Sequence, residues 1–269
     1  MPAGLSAAFT PVRLGPLTLR NRFIKSATNE GGAPGGAGYG TARAKAAFEG
    51  GGGYRTGERI FSLFATVRGE NLYASVAGSI SDVDFNDIRR DLHLGGVRRN
   101  FEANAQGSNS SFFGNVGYDF KLGRLSIGPT VVAAIQNVTV EAFDENPVAG
   151  QPITGALSIG QQKRRSEIYS LGGRASYDLG MWTPWVRITA DKERRDDPRF
   201  VTAGVRSLSS IGMTYDIEGY SPDTSYITTY VGLRGNISNW IGVGLTYYKI
   251  SGRTGIKEDG ITGAVSVKF

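Results

Sequence analysis

The chain has no cysteine, a single histidine and no long apolar run. Without cysteine it can form neither disulfides nor thiolate metal sites. A histidine-based metal site or a Ser-His-Asp triad would have to include His93. No stretch approaches the roughly 20 apolar residues of a membrane helix, which argues against a helical membrane protein. Residues 1–22 lack the basic start and the continuous apolar core of a secretory signal peptide.

The net charge of +6 raises the question of a nucleic-acid partner. The charges are mixed in sign, as in DKERRDDPR (191–199) and NDIRRD (86–91), so no nucleic-acid partner is predicted. The acidic run DVDFND (82–87) lacks the glycine and the distal glutamate of a calcium-binding loop. The glycine clusters at 31–40 and 50–53 lack the strand and helix context of a nucleotide site. The sequence therefore predicts no metal and no cofactor.

The chain divides into two predicted domains of different style. Residues 1–40 hold a compact apolar and basic segment, followed by the glycine-rich stretch GGAPGGAGYG (31–40), which we interpret as a linker. From residue 41 to 269 apolar residues recur at every second position. In SFFGNVGYDFKLG (111–123), for example, Phe112, Val116 and Tyr118 alternate with polar and small residues. Such alternation predicts β-strands, since successive side chains point to opposite faces.

The alternating segments predict an all-β protein of about ten long strands. Tight turns, such as those at 67–71 and 178–182, alternate with long charged segments, such as DKERRDDPR. Short connections at one end and long ones at the other predict an antiparallel up-and-down sheet, preceded by a short irregular N-terminal segment. The predicted strands are 41–48, 54–68, 70–92, 98–122, 125–145, 156–180, 182–206, 223–237, 240–252 and 259–269.

The charged residues inside the predicted strands favour a transmembrane β-barrel. A soluble β-sandwich or a lipocalin-like ligand-binding protein would also alternate, and this alternative stays open. Full charges in the middle of a strand are costly in a packed soluble core, whereas inside a wide barrel they face water or one another. We therefore predict four lumen-facing charges: Arg174, Arg187, Asp191 and Arg234.

Aromatic residues are concentrated near the tight turns. A belt of aromatic side chains at the membrane–water boundary is typical of outer-membrane barrels. We therefore predict six interfacial aromatics: Tyr118, Phe120, Tyr177, Trp182, Trp185 and Trp240.

Several segments together resemble one family. They are SISDVDFNDIRRDLHLG, GNVGYDFKLGRLSIGP, SLGGRASYDLGMWTPWVRI, SSIGMTYDIEGYSPDTSY and the terminal GAVSVKF. With them, residues 42–269 resemble the C-terminal β-barrel translocator of autotransporters, in particular of the GDSL-type esterase autotransporters. The resemblance implies a 12-stranded barrel of the bacterial outer membrane, of which about ten strands are visible here. It also implies type V secretion of a passenger domain.

The resemblance implies partners and a role. The terminal strand, with Val265, Val267 and Phe269, is similar to the signal read by the barrel-assembly machinery. The expected surroundings are outer-membrane lipid and lipopolysaccharide, with the basic segments QQKRRSE and DKERRDDPR either solvated or in contact with lipopolysaccharide phosphates. The sequence contains no GDS-type nucleophile block, so no enzyme activity is predicted. The expected function is an outer-membrane translocator and anchor without its passenger, as a truncated or chimeric product.

Residues 9–30 resemble a different family. FTPVRLGPLTLRNRFIKSATNEG is similar to the opening of the old yellow enzyme class of NADH:flavin oxidoreductases. That resemblance implies a strand whose end, near Ser26, Ala27 and Thr28, approaches the flavin. A (β/α)₈ site is built from the loops of several strands, so this segment alone is not expected to bind FMN. A fragment of such an oxidoreductase is nevertheless kept as an alternative.

Overall fold

The structure is a computed structural model of the 269-residue chain. It describes residues 11–14, 17–20, 35–47, 51–195, 200–218, 223–254 and 258–267. The predicted flavin-facing residues Ser26, Ala27 and Thr28 therefore lie outside the described residues. Within the described part, no helix is long and apolar enough to cross a bilayer.

The described residues form eighteen strands and one short 3-10 helix, which spans Arg206–Ile211. In chain order the strands are β1 (Pro11–Leu14), β2 (Leu17–Arg20), β3 (Gly35–Ala47), β4 (Gly52–Arg68), β5 (Leu72–Leu94), β6 (Val97–Tyr118), β7 (Phe120–Leu122), β8 (Leu125–Val140), β9 (Phe143–Asp144), β10 (Asn146–Pro147), β11 (Leu157–Ile159), β12 (Gln162–Tyr177), β13 (Trp182–Glu193), β14 (Phe200–Val205), β15 (Thr214–Glu218), β16 (Ser225–Asn236), β17 (Ile241–Ser251) and β18 (Glu258–Val267).

Ten long strands follow one another in a single antiparallel sheet, in the order β3-β4-β5-β6-β8-β12-β13-β16-β17-β18. The short strands β7 and β10 add to β8 and β6. A second, four-stranded sheet contains β9, β11, β14 and β15, and β1 pairs with β2 as a hairpin. In the described residues no ladder joins β3 to β18, so each of these strands has one unpaired edge. The predicted all-β, up-and-down architecture with about ten strands is confirmed.

One predicted strand, 182–206, is wrong because the chain leaves the large sheet after Glu193. The segment divides into β13 of the large sheet and β14 of the second sheet. The carboxylate of Glu193 accepts backbone hydrogen bonds from Glu167 (2.8 Å) and Arg195 (3.0 Å). The backbone N–H of Arg194 still donates to the Glu167 carbonyl at 2.9 Å, but the Glu193 carboxylate takes the Glu167 N–H that would continue the β12–β13 ladder. The strand predicted at 156–180 is likewise divided into β11 and β12, on either side of Gly160 and Gln161.

The prediction of a linker over 31–40 is wrong for residues 35–40. These residues belong to β3, which pairs in continuous register with β4 from Gly35↔Ala65 to Ala47↔Gly53. The ladder explains the order of a glycine-rich segment, because the backbone bonds come from β4 and do not depend on side chains. The sheet therefore begins before the predicted domain boundary at residue 41.

The two ends of the large sheet differ in their connections. At one end, short turns span 69–71, 119–124, 178–181 and 237–240. At the other end lie the long segments that carry the second sheet, between β8 and β12 and between β13 and β16. We call these the short-turn end and the long-loop end. The C-terminal end of β18 lies at the short-turn end, because Val267 pairs with Ile241, the first residue of β17.

The main apolar core lies inside the large sheet, close to its long-loop end. It contains Tyr54, Val83, Phe85 and Ala105, with Phe143 of β9 packed against them. The ring centroids of Tyr54 and Phe85 are 5.8 Å apart. The core thus ties the strands of the large sheet to the first long connection above them.

Candidate functional site

The large sheet buries its polar face and exposes its apolar face. On β12 the neighbouring residues Ser170 and Leu171 are 7% and 65% exposed, respectively. In a water-soluble sheet the apolar side chain would be the buried one. We call the face of Ser170 inward and the face of Leu171 outward.

The same reversal runs across the sheet. Exposed outward residues are Phe61, Leu63, Val67, Leu72, Val76, Ile80, Phe112, Val116, Ile127, Val131, Leu171, Ile188, Ile227, Val231, Leu233, Leu245, Tyr247, Ile261 and Val265. Buried inward polar residues include Thr56, Glu58, Ser81, Thr130, Ser166, Ser170, Thr189, Asp191, Glu193 and Thr228. The outward face therefore forms an apolar belt, and the inward face is polar except for the apolar core near the long-loop end.

Arg174 is one of the four charges predicted to face the interior, and it lies inward in an ion-pair cluster. Its Nε and Nη2 donate to the two carboxylate oxygens of Asp119, at 2.9 and 2.5 Å. Its guanidinium carbon also lies 3.7 Å from the ring centroid of Tyr73. Arg68 adds a third contact, with its Nη2 at 3.1 Å from Asp119. The side chain of Asp119 is 3% exposed, so this cluster holds a desolvated charge with two cationic partners.

Arg187 and Asp191 occupy the same inward face on β13, and both are buried. The guanidinium of Arg187 lies 4.3 Å from the ring centroid of Tyr230 on β16. The carboxylate of Asp191 accepts a hydrogen bond from the hydroxyl of Thr228. Arg234 is half-buried and lies at an inward position of β16, in line with Thr228 and Tyr230. All four predicted charges thus point away from the apolar belt.

The predicted interfacial aromatics divide between the two faces. Five are exposed at the short-turn end: Tyr118, Phe120, Tyr177, Trp182 and Trp240. Trp185 differs, because it shares the inward register of Arg187 and Thr189 and is only partly exposed. Its indole lies over Gly232, the residue opposite it on β16. The interfacial position predicted for Trp185 is therefore wrong, since alternation from Arg187 places this residue inside.

Aromatic side chains repeatedly cover the glycine that faces them on the next strand. Directly opposed pairs of this kind are Tyr73 with Gly117, Trp182 with Gly235, Trp185 with Gly232, and Tyr248 with Gly260. A Cβ atom built at any of these glycines would come within 2.6 Å of the partner's ring or hydroxyl. The pattern explains part of the high glycine content, because these positions leave room for an aromatic ring.

Glu145 anchors the first long connection to the sheet, a role that the sequence analysis missed. Its buried carboxylate accepts hydrogen bonds from Nε and Nη2 of Arg90, at 2.7 and 2.5 Å, and from the backbone N–H of Leu157 at 2.9 Å. Arg206 donates to the backbone carbonyl of Glu145 at 2.6 Å. The sequence signal was weak, since Glu145 lies in a polar segment that resembles any solvated loop.

The structure offers little for metal or triad chemistry. His93 is exposed near the end of β5, opposite Arg98 of β6. Among the described residues, no group of three or more His, Cys, Asp or Glu side chains is placed to hold a metal ion.

The C-terminal strand carries part of the predicted assembly signal. Val265 is exposed on the outward face, opposite Val243 of β17. Val267 is the last residue of β18. Phe269 lies outside the described residues. The signal formed by these three residues therefore remains a prediction.

These features together define a class. An antiparallel up-and-down sheet with an apolar outward belt, a largely polar interior, only short turns at one end and its longest connections at the other has the architecture of transmembrane β-barrels. The fold and the reversed faces thus exclude the soluble β-sandwich that alternation alone left open.

Comparison with known proteins identifies the family within that class. The family model described as the autotransporter beta-domain matches residues 27–248, and the chain belongs to this family. The translocator domain of the autotransporter NalP from Neisseria meningitidis has the same fold, with a TM-score of 0.60 and 12% identity. That match covers 94% of this chain and 79% of the chain of the NalP translocator domain.

Curated relatives share a segment with this chain. Esterase EstA from Pseudomonas aeruginosa and Esterase EstA from Pseudomonas putida are each 27% identical over 173 residues, which is 63% of this chain and 26% of the relative. An uncharacterized protein in the trpE-trpG intergenic region of Pseudomonas putida is 27% identical over 175 residues, 64% of this chain and 28% of the relative. The matched segment is thus about a quarter of these relatives' length.

Proposed function

We propose that this chain inserts into the bacterial outer membrane and serves there as the translocator and anchor of an autotransporter passenger. Its fold belongs to the translocator class, and the chemistry asked of it is passive. The outward belt would contact lipid, and the polar interior would give a passenger segment a hydrophilic path. The esterase named in its relatives would, on this proposal, reside in the passenger and not in the barrel.

The observation that carries the proposal is the reversed burial of the sheet. A row such as Leu171, Ile188 and Val231 stands exposed on one face, while Asp191 and Thr228 are buried on the other. In water this arrangement would leave a large apolar surface uncovered, which soluble monomers avoid. In a bilayer the same surface is solvated by hydrocarbon, and the backbone is satisfied by the ladders between strands.

The proposed partners follow from the ends of the sheet. β18 ends at the short-turn end, where the exposed Val265 and the terminal Phe269 would meet the barrel-assembly machinery. β3 also begins at this end, at Gly35 opposite Ala65. A passenger segment that enters from the same end would lie against the inward face. Its side chains would meet the buried polar groups of β12 and β13.

Expression behind an export signal in a Gram-negative host tests the proposal. The chain should fractionate with the outer membrane, resist carbonate extraction, and migrate faster in detergent gels when unboiled than when boiled. Recovery in the aqueous fraction as a detergent-free monomer would contradict membrane insertion. Bound flavin absorbance in the purified protein would instead support the oxidoreductase alternative.

A further inference from the structure

Strand β13 sorts its charges by sign. Alternation directs Asp191 and Glu193 to the inward face, where both are buried. Lys192 lies at an outward position of the strand and is exposed. Arg194, the first residue after the strand, is exposed on the same side, because its guanidinium lies 5.8 Å from the ring centroid of the outward Tyr169. The run DKERR, which is mixed in sequence, therefore presents only positive charge on the outer surface of the sheet.

The neighbouring strand β12 adds to that charge. Lys163 and Arg165 are exposed at outward positions, in line with Tyr169. We call Lys163, Arg165, Lys192 and Arg194 the β12–β13 basic patch. The two strands are in register there, with Tyr169 opposite Lys192. The four side chains thus lie on one outward surface.

Few acidic residues lie at the described outward positions of β12 and β13 to neutralise this positive charge. Their one acid, Glu167, contacts Arg165 at 2.6 Å and Arg195 at 3.2 Å. Lys192 has a 3.4 Å contact with the Ser225 hydroxyl, and Arg194 lies 5.8 Å from the ring centroid of Tyr169. Within the described residues, neither Lys192 nor Arg194 forms an ion pair with an acid.

The patch contrasts with the outward surface of β3 to β5 at the same end. That surface carries the bases Arg43, Lys45, Arg55, Arg59 and Arg89, but also the acids Asp82, Asp84, Asp87 and Asp91. Arg55 pairs with Asp87 at 3.0 Å, and Arg59 lies opposite Asp82 in the ladder. Five bases face four acids there, whereas the four bases of the β12–β13 basic patch face one acid, Glu167. Asp196 and Asp197 lie outside the described residues.

The position of the patch along the membrane normal matches that of the lipid headgroups. On β12 the exposed outward apolar and aromatic residues run from Tyr177 at the short-turn end to Tyr169. The eight steps between these two residues, at about 3.4 Å each, give about 27 Å along the strand, or roughly 21 Å across the bilayer at a 40° tilt. The apolar band of outer-membrane barrels is about 25 Å tall. Lys192 and Arg194 therefore stand at the upper boundary of the belt.

We propose that the β12–β13 basic patch binds the phosphate groups of lipids in the leaflet at the long-loop end, which in an outer membrane are those of lipopolysaccharide. Amino and guanidinium groups recognise phosphate by charge-assisted hydrogen bonds. The position of the patch directly above the apolar belt selects a lipid-borne phosphate over a free one. This inference rests on the proposed membrane insertion.

A lipid-selectivity measurement tests the inference. The chain is refolded into phosphatidylcholine vesicles, and the association of acceptor-labelled, bisphosphorylated lipid A is followed by energy transfer from a donor attached at Leu171→Cys. This outward position of β12 lies two residues from Tyr169, which is opposite Lys192. The variant Lys192→Gln/Arg194→Gln is compared with Arg55→Gln/Arg59→Gln, which removes the same charge from the balanced surface. At about 1 kcal/mol for each basic residue near an anionic surface, the first variant should bind about thirtyfold more weakly. The control should change less than threefold.

Phosphate binding by the patch and membrane insertion of the chain can fail independently, and different outcomes reveal each failure. Dephosphorylated lipid A should bind wild type and the Lys192→Gln/Arg194→Gln variant equally, and excess free pyrophosphate should not displace the labelled lipid. Equal loss in both variants, no phosphate selectivity, or displacement by pyrophosphate would each overturn the inference alone. Failure of the chain to insert into phosphatidylcholine vesicles would contradict the proposed function itself.

Discussion

The guanidinium carbon of Arg174 on β12 lies 3.7 Å from the centroid of the Tyr73 ring on β5, although β8 and β6 separate the two strands in the sheet. In a flat sheet three strand spacings place the backbones about 14 Å apart. Contact between the two side chains therefore requires them to converge over the inward face. Arg174 also pairs with Asp119 there, so its cation–π contact and its ion pair together link β5, β12 and the turn between β6 and β7.

Arg174→Gln should destabilise the sheet far more than Arg68→Gln. Both arginines contact Asp119, but the Arg174 side chain is 15% exposed and the Arg68 side chain is 54% exposed. Removing a partner of a buried charge costs about 3–5 kcal/mol, whereas an exposed pair contributes about 0–1 kcal/mol. Urea unfolding of the vesicle-inserted chain measures the difference. Equal losses in the two variants would show that Asp119 does not depend on the buried pair.

Gly117→Ala should destabilise the chain, whereas Gly57→Ala should not. A Cβ at Gly117 would lie 2.1 Å from the Tyr73 hydroxyl, but a Cβ at Gly57 meets nothing within 4 Å. Overpacking costs about 1–3 kcal/mol. Replacing a strand glycine by alanine in open space gains about 0.5–1 kcal/mol. The same urea titration gives both values, and a neutral Gly117→Ala would contradict the packing of Tyr73 over this glycine.

Glu145→Gln should release the first long connection from the sheet. The substitution removes the charge that Arg90 contacts twice and leaves a cationic group in a largely buried setting. Limited proteolysis should then cleave within 141–161 at least tenfold faster, while the long strands remain protected. Glu141→Gln is the matched control, because the carboxylate of Glu141 is exposed and bonds only the Gln161 side chain within the described residues. Unchanged cleavage of Glu145→Gln would remove the anchoring role.

Deletion of Phe269 should lower the amount of chain assembled in the outer membrane. The prediction follows from the resemblance of the terminal residues Val265, Val267 and Phe269 to the signal read by the barrel-assembly machinery. Phe269→Tyr keeps an aromatic ring at that position and should assemble normally, whereas deletion removes it. The heat-modifiable fraction in isolated outer membranes measures assembly, and equal fractions for the deletion and wild type would contradict the signal.

Alternation made most of this fold predictable from the sequence. Residues such as Leu171 and Arg174 lie on opposite faces because the period of a strand is two, and no tertiary information is needed to place them. The failures have a different origin. Closeness to a turn predicts an interfacial position for Trp185 as for Trp182, but its register with Arg187 puts Trp185 inside.

Features that depend on contacts between distant segments could not be predicted from local sequence patterns. Residues 35–40 form a strand because they pair with β4, and nothing in a glycine-rich stretch indicates this pairing. The end of β13 depends on hydrogen bonds to Glu193, and the docking of the first long connection depends on Glu145 and Arg90. Each involves partners more than 20 residues apart, or a side chain that substitutes for a ladder bond.

The most direct test of the reversed sheet compares two adjacent positions on β12. Because the chain has no cysteine, Ser170→Cys and Leu171→Cys each introduce a single thiol for a nitroxide label. In vesicles, the label at 171 should collide with lipid-soluble oxygen and be shielded from a water-soluble nickel chelate. The label at 170 should show low oxygen accessibility. Similar values at both positions, or the opposite order, would contradict an outward apolar belt around a polar interior.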